Sequence, residues 1–360
     1  MAPSPSCKLT QVSSSCAGLD FLTDLPHLIK VQILALLPLK EAVRTSSLSK
    51  RWRHTWFAIP SLIIDENEIL LPTLSDYLSL VYRLLSNHTH SLAKLKLVFH
   101  ESDYEYLGIE GDLDKWIHTF SEKCGRELVL DFGYHGTVEI PARLFSLPNL
   151  EVLHLRGCQL NVPKCFDGFK LLHTLNLEDV SITAIDMEGL ILSCPLLKYC
   201  FIHNIDICSD LAIRSQSLLE LDIDADFKDL YFESPKLVTL IASVNLAPGL
   251  GNGFGHIFPS KHKNNISRLM CCLSQLQHLD IKWNFVKYMY VGAVPVQLPV
   301  SLNLTKMTIE LEYGATRCLD VLLCLAQSAP KLCNLHVKFD KYEHPLPYRN
   351  YWDEARATDC

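Results

Sequence analysis

The segment Leu150-Glu151-Val152-Leu153-His154-Leu155-Arg156-Gly157-Cys158-Gln159-Leu160 carries its apolar residues at L-x-x-L-x-L-x-x-C-x-L spacing. Alternation at its centre puts Leu153 and Leu155 on one face of a strand and leaves His154 and Arg156 on the other. Outward from this segment the pattern recurs. Leu172, Leu175 and Leu177 form the next unit, then Leu197, Cys200 and Ile202, then Leu218, Leu221 and Ile223, then Leu237, Leu240 and Ala242. Leu276, Leu279 and Ile281 continue the series, followed by Leu304, Met307 and Ile309 and by Leu332, Leu335 and Val337. Toward the N-terminus Leu92, Leu95, Leu97 and the pair Leu128, Leu130 extend it. Leading residues lie roughly 19 to 39 positions apart, an irregular repeat around the period that one strand and its return require.

A second marker keeps the same phase. Pro148, Pro195, Pro235 and Pro330 each stand two residues before a leading leucine, where proline ends the back of one coil and sets up the next strand. The pattern is that of a leucine-rich repeat, which predicts a solenoid of parallel strands over residues 61–340, leucines inward. Outward positions are then Lys96, Asp131, His154, Arg156, Asn176, Glu178, Phe201, His203, Asp222, Asp224, Asp280, Lys282, Thr308, Glu310, His336 and Lys338. A protein target is expected to bind across His154, Arg156, Glu178, Phe201, His203, Asp222, Asp224 and Lys282. That face reads as basic near His154 and Arg156 and acidic around Asp222; the competing reading is an ordinary solvated sheet face.

Ahead of the repeats, Leu25-Pro26 opens an amphipathic helix and Leu37-Pro38 closes it. Pro26 suits a first helical position, and Asp24 is placed to cap free N–H groups. Leu28, Ile29, Ile33, Leu34, Leu36 and Leu37 form a stripe wider than one neighbouring helix needs. After a short helical piece around Lys40 to Thr45, Leu48, Trp52 and Trp56 recur at steps of four, as on a second helix. A module this small buries too little surface to stand alone, so a partner or adjoining domain must cover it.

Leu25-Pro26, Ile33-Leu34, Leu37-Pro38 and the run Val43-Arg44-Thr45-Ser46-Ser47-Leu48-Ser49-Lys50-Arg51-Trp52-Arg53 to Trp56 closely resemble the F-box in its plant form. The match begins at Leu19 and has no gap. Ser193-Cys194-Pro195-Leu196-Leu197 resembles the start of a repeat in plant F-box proteins with leucine-rich repeats. The resemblance implies binding to a Skp-type adaptor and, through it, to a cullin-based ubiquitin ligase. It puts Leu25, Pro26, Ile33, Leu34, Leu37, Pro38, Leu48 and Trp52 at adaptor-facing or interface-supporting positions. His27 and Lys30 stand where the family often has acidic residues. At the other end, Tyr351-Trp352-Asp353 looks like the approach to the family's FBD region, which reads as truncated or diverged.

The expected fold is therefore α/β: an N-terminal three-helix F-box, then an irregular leucine-rich-repeat solenoid with parallel strands on its concave face. Residues 1–18 read as a disordered tail, 19–60 as the F-box, 61–340 as the solenoid with a flexible insertion at about 247–266, and 341–360 as a C-terminal tail. The net charge of −7 argues against a nucleic-acid partner, and no apolar run reaches membrane-spanning length. With no apolar signal core at the start, the 14 cysteines read as reduced thiols in an intracellular chain of the cytoplasm, the nucleus or both.

No cofactor, metal or catalytic constellation is expected. Cys-x-x-Cys is missing, and the histidines are scattered. Asp222-x-Asp224-x-Asp226 with Glu233 mimics a calcium loop, but Phe227 stands where that loop needs glycine. Glycines at 249, 251, 253 and 255 lack the Lys-Ser or Lys-Thr of a phosphate loop. Three functions stay open: a substrate-recruiting ligase subunit, a non-ligase interaction scaffold, and a receptor in which a small molecule on the repeat face helps hold the target.

Overall fold

The structure, a computed structural model, describes residues 21–69, 73–99, 109–133, 138–207, 209–244, 265–291, 293–312 and 315–340. The two expected tails and most of the expected insertion lie outside the described residues. Asn265 and Ile266, placed in that insertion by sequence, are instead buried at the start of a helix.

Four helical stretches open the described chain. Helix α1 (His27–Leu34) and α2 (Leu39–Arg44) follow Pro26 and Pro38, each of which takes the N-cap position. Asp24 does not cap α1: its carboxylate accepts a hydrogen bond from Arg51 at 2.7 Å. Helix α1 also ends earlier than Pro38 alone requires. Leu36 and Leu37 donate to carbonyls only three residues back, which tightens the last turn. The third stretch is the 3-10 turn Thr45–Ser47 and the fourth the 3-10 helix Thr55–Ala58, where the step of four predicts an α-helix from Leu48 to Trp56. The Thr55 hydroxyl takes the Arg51 carbonyl that the Thr55 N–H would use in an α-helix, and that N–H turns to Trp52. Trp52 consequently enters the core, whereas Leu48 stays 66% exposed.

The solenoid follows. Its elements are β1 (Ser61–Asp65), α3 (Glu66–Ile69), α4 (Leu74–Asn87), β2 (Lys94–Val98), α5 (Glu110–Glu122), β3 (Glu127–Asp131), β4 (Val138–Glu139), β5 (Val152–Arg156), β6 (Cys158–Gln159) and β7 (Thr174–Glu178). Then come α6 (Ala184–Leu192), β8 (Tyr199–Asp206), β9 (Leu211–Arg214), β10 (Glu220–Asp226), β11 (Leu230–Glu233), β12 (Thr239–Ser243), α7 (Asn265–Cys271), β13 (His278–Ile281), α8 (Trp283–Met289), β14 (Lys306–Glu312), α9 (Thr316–Gln327) and β15 (Asn334–Asp340). Eleven strands form one parallel sheet in the order β1-β2-β3-β5-β7-β8-β10-β12-β13-β14-β15, so each coil hydrogen-bonds to its sequence neighbours. Two small parallel pairs, β4–β6 and β9–β11, run beside it.

Every repeat unit read from sequence is a strand in register. Leu153 pairs with Leu128 and Leu175, and Leu155 with Leu130 and Leu177, all buried. Pro148, Pro195, Pro235 and Pro330 each open a two-residue turn that leads into the next strand. The sheet also starts one coil before the sequence series, because β1 pairs with β2 through Leu62↔Leu95 and Ile64↔Leu97.

The helical module joins this first coil at several points. Thr89 N–H donates to Phe57 and Lys94 N–H to Pro60. The buried His88 ring lies between two carbonyls, Nε2 at 2.7 Å from Ile59 and Nδ1 at 3.0 Å from His90. Burial pushes His88 below the ordinary histidine range, offset in part by those carbonyls. Farther along, Arg268 fastens the side sheet to the helices. It donates to the Leu230 carbonyl at 2.5 Å and to the Tyr288 hydroxyl at 2.9 Å, and pairs with buried Asp229 at 3.3 Å.

Candidate functional site

Two surfaces carry chemistry that the core does not use. The first is the free side of the helical module. Leu34 and Trp52 are buried, and buried Lys30 donates to the Thr23 carbonyl at 2.6 Å with its ammonium 5.6 Å from the Trp52 ring centre. A cation over indole with its proton donated to a carbonyl is a satisfied arrangement, and it explains why a lysine is accommodated at this position. Leu25 and Ile33 are half-buried, while Pro26, Leu37, Pro38 and Leu48 are exposed. Sequence reading of the candidate residues missed the most open ones: Leu28 is 75% and Leu36 86% exposed, with Ile29 beside them. The width of the α1 stripe was the signal for these three. Contiguous exposed leucines of this kind mark an interaction surface.

The second surface is the concave face of the sheet, built by the outward residues of adjacent strands. Register aligns His154, Asn176, Phe201 and Asp222 in one row, and Asp131, Arg156, Glu178, His203 and Asp224 in the next. Seven of the eight candidate target-binding residues therefore sit together on β5, β7, β8 and β10. Lys282 stands apart, just past β13 and two strands beyond β10, and pairs with Glu310 at 3.5 Å.

The face is not basic near His154 and Arg156. Arg156 is ringed by Glu178 at 3.3 Å, Asp179 at 3.4 Å and Asp131 at 3.7 Å, so its charge is more than neutralised. Burial pushes His154 below the ordinary histidine range, away from the charged form, despite the pull of Glu178 and Asp131. His203, two strands away on β8, moves the other way, because Asp222 accepts from it at 3.2 Å.

The centre of the face is therefore acidic. A bulge intensifies this: Asn204 takes φ +57° as the extra residue of β8, and beyond it Asp206 comes into register with Asp226. Burial, with Asp206 and Asp224 nearby, pushes the Asp226 carboxyl up to about 6. Asp179 and Asp206 were missed by sequence reading, and Asp226 was read only as part of the calcium-loop mimic. Asp179 lies in a left-handed turn at φ +52° and Asp206 follows the bulge, so neither is on the L-x-L period, whereas Asp226 continues the alternation of β10.

The calcium-loop mimic resolves into strands. Asp222, Asp224 and Asp226 lie along β10, while Glu233 is on β11 and pairs with Arg214. Among the described residues no group of His, Cys, Asp and Glu has metal-holding geometry. Nor, among them, is any helix long and apolar enough to cross a membrane. Buried thiols are not poised as nucleophiles: burial pushes Cys200 up to about 12 and Cys194 up to about 11.

Comparison with known proteins connects both surfaces. Residues 22–61 match the F-box domain, and residues 113–337 match the leucine-rich repeats of the FBD-associated F-box protein At5g56370. The F-box/FBD/LRR-repeat protein At1g13570 of Arabidopsis thaliana is 30% identical over 339 residues, covering 91% of this chain and 78% of the relative. F-box/LRR-repeat protein 13 of the same plant is 28% identical over 360 residues, covering 90% and 78%.

Proposed function

The chain belongs to the F-box proteins with FBD-associated leucine-rich repeats, and from that premise we propose that it is the substrate-recognition subunit of a Skp–cullin–F-box ubiquitin ligase. F-box proteins generally act as adaptors in such complexes. In this reading residues 19–60 bind a Skp-type adaptor and residues 61–340 capture a protein target inside the cell. Leu25, Pro26, Ile33, Leu37, Pro38 and Leu48, together with Leu28, Ile29 and Leu36, meet the adaptor. Leu34 and Trp52 hold that surface from beneath.

The observation that carries the reading is the pairing of an unpartnered apolar α1 face with a solenoid anchored to it through Ile59, Pro60 and His88. A hydrogen-bonded joint lets one end hold the machinery while the other holds cargo within reach, raising the local concentration of target lysines near the ubiquitin carrier. No covalent step is assigned to this chain. Across the concave face, Glu178, His203, Asp222 and Asp224 with Phe201 between them offer hydrogen-bond acceptors and an aromatic surface to the target.

The test is capture by a purified Skp-type adaptor. Leu28→Ala and Leu36→Ala are expected to weaken binding at least tenfold with the unfolding curve unchanged, since both side chains are already solvated. Leu34→Ala is expected to lower stability instead, by about 2–5 kcal/mol. Failure of the unaltered chain to bind any Skp-type adaptor refutes the ligase reading and leaves the scaffold.

A further inference from the structure

Between the F-box helices and the first coil lies a cavity of about 410 Å³. Its size falls within the range of small-molecule sites. Val43 of α2, Trp56 and Phe57 of the 3-10 helix, Ile63 of β1 and Leu80 and Leu84 of α4 line it. These side chains come from both halves of the molecule, yet they leave a gap where a well-packed joint would interdigitate. Ile63 is the outward residue of β1 between buried Leu62 and Ile64, and stands 44% exposed beside the gap.

The mouth of the cavity is charged, and its charges are unequally satisfied. Arg44 is held by Glu41 at 2.7 Å, and Asp65 accepts from the Asn67 N–H at 2.9 Å. Lys40 and Arg83 are exposed, line the cavity, and have no ion pair or hydrogen bond to their side chains among the described residues. Glu68 supplies a carboxylate to the same lining, so with Glu41 counted beside Arg44 the charges balance overall, and Lys40 and Arg83 are the two lining cations without a side-chain partner among the described residues.

We propose that this cavity binds an amphipathic small molecule, an apolar body with a single carboxylate. The body fills the space against Trp56, Phe57 and Leu84, and the carboxylate lies between Lys40 and Arg83. Because α2 belongs to the F-box while β1 and α4 belong to the solenoid, such a ligand bridges the joint and stiffens it. This site is separate from the concave face and does not depend on what the solenoid captures.

Decanoate, used below its micellar concentration, is the probe, with decan-1-ol as its uncharged counterpart. Both are titrated into the full chain bound to a Skp-type adaptor, with tryptophan fluorescence as the readout and Trp56→Phe identifying the responding residue. The expected result is a saturable change that Trp56→Phe removes, with decan-1-ol binding at least tenfold more weakly. Lys40→Gln with Arg83→Gln erases that preference. Leu80→Phe and Val43→Phe, tested separately, fill the space and abolish the response while adaptor capture survives.

Equal binding of decanoate and decan-1-ol overturns the proposal, as does persistence of binding in both filled variants. So does binding by the free chain that vanishes when the adaptor is added, because adaptor side chains then occupy the cavity. Absence of a saturable response in both free and adaptor-bound chain also overturns it.

Discussion

Gly157→Ala tests the stacking of the coils at one backbone atom. Gly157 follows β5 at φ +65°, and a Cβ built there meets the Gly133 carbonyl oxygen at 2.0 Å. Left-handed backbone costs an alanine about 1–2 kcal/mol. The loss of unfolded-chain freedom returns about 0.4–1 kcal/mol. The clash is larger, because the obstacle is the backbone of the preceding coil and not a side-chain tip. Clearing it requires about 1 Å of separation between coils that are tied by hydrogen bonds from Phe132 to Arg156 and from Gly157 to Glu178. Overpacking of that kind costs about 1–3 kcal/mol, so the substitution is expected to destabilise by about 2–4 kcal/mol in all. Urea unfolding followed by circular dichroism gives the midpoint, and hydrogen exchange locates the loss at the turns after β3, β5 and β7. Gly189→Ala is the matched control: it lies inside α6 with nothing within 4 Å of the new Cβ, and is expected to gain about 0.5–1 kcal/mol. A Gly157→Ala midpoint equal to that of the unaltered chain refutes the close approach.

Four further outcomes follow from the charges and the open end of the sheet. Asp226→Asn is expected to stabilise by about 1 kcal/mol at pH 7.5, after allowance for solvent screening, and to change nothing at pH 3.5. The reason is that a carboxyl raised to about 6 costs the folded state stability once ionised: the cost is absent below the ordinary 3.8, grows as pH rises through 6, and is complete above it. His203→Gln behaves in the same sense from a different group: the raised imidazole contributes below about 6.5 and its contribution fades above its folded value, so the variant loses stability at pH 5.5 and little at pH 8.5, as thermal melts at the two pH values will show. Arg268→Met leaves Asp229 buried without its cation and is expected to cost about 3–5 kcal/mol, whereas Arg268→Met with Asp229→Asn costs less; equal losses in a double-mutant cycle refute the pairing. Amides from Leu332 to Val337 are expected to exchange faster than those from Leu150 to Leu160, since among the described residues β15 pairs only with β14, with Leu335 46% and Phe339 57% exposed; equal protection counts against an open end.

The repeat register was legible because its two markers are independent. Leucine alternation reports which face is buried, and proline two residues ahead reports where the chain turns; both survive wide variation in coil length. Features that break the period were hidden. The bulge at Asn204 adds one residue to β8 and carries Asp206 opposite Asp226, a juxtaposition that no L-x-L count foresees. The sign of the face was misread for a related reason. Arg156 was counted as a free cation because its carboxylates, Asp131 and Asp179, belong to neighbouring coils, 25 positions before it and 23 after it.

The helical module shows the complementary limit. The spacing of Leu48, Trp52 and Trp56 fits an α-helix, but Thr55 diverts a carbonyl to its own hydroxyl and the segment tightens into 3-10 turns. That local competition separates residues that periodicity groups together. Trp52 goes inward beneath Lys30, and Leu48 joins Leu28 and Leu36 in solvent. Side-chain identity thus indicated a docking surface, and backbone hydrogen bonding decided which leucines form it. The same turns bring Trp56 and Phe57 against β1 and α4, so the departure from regular helix also shapes the cavity at the joint.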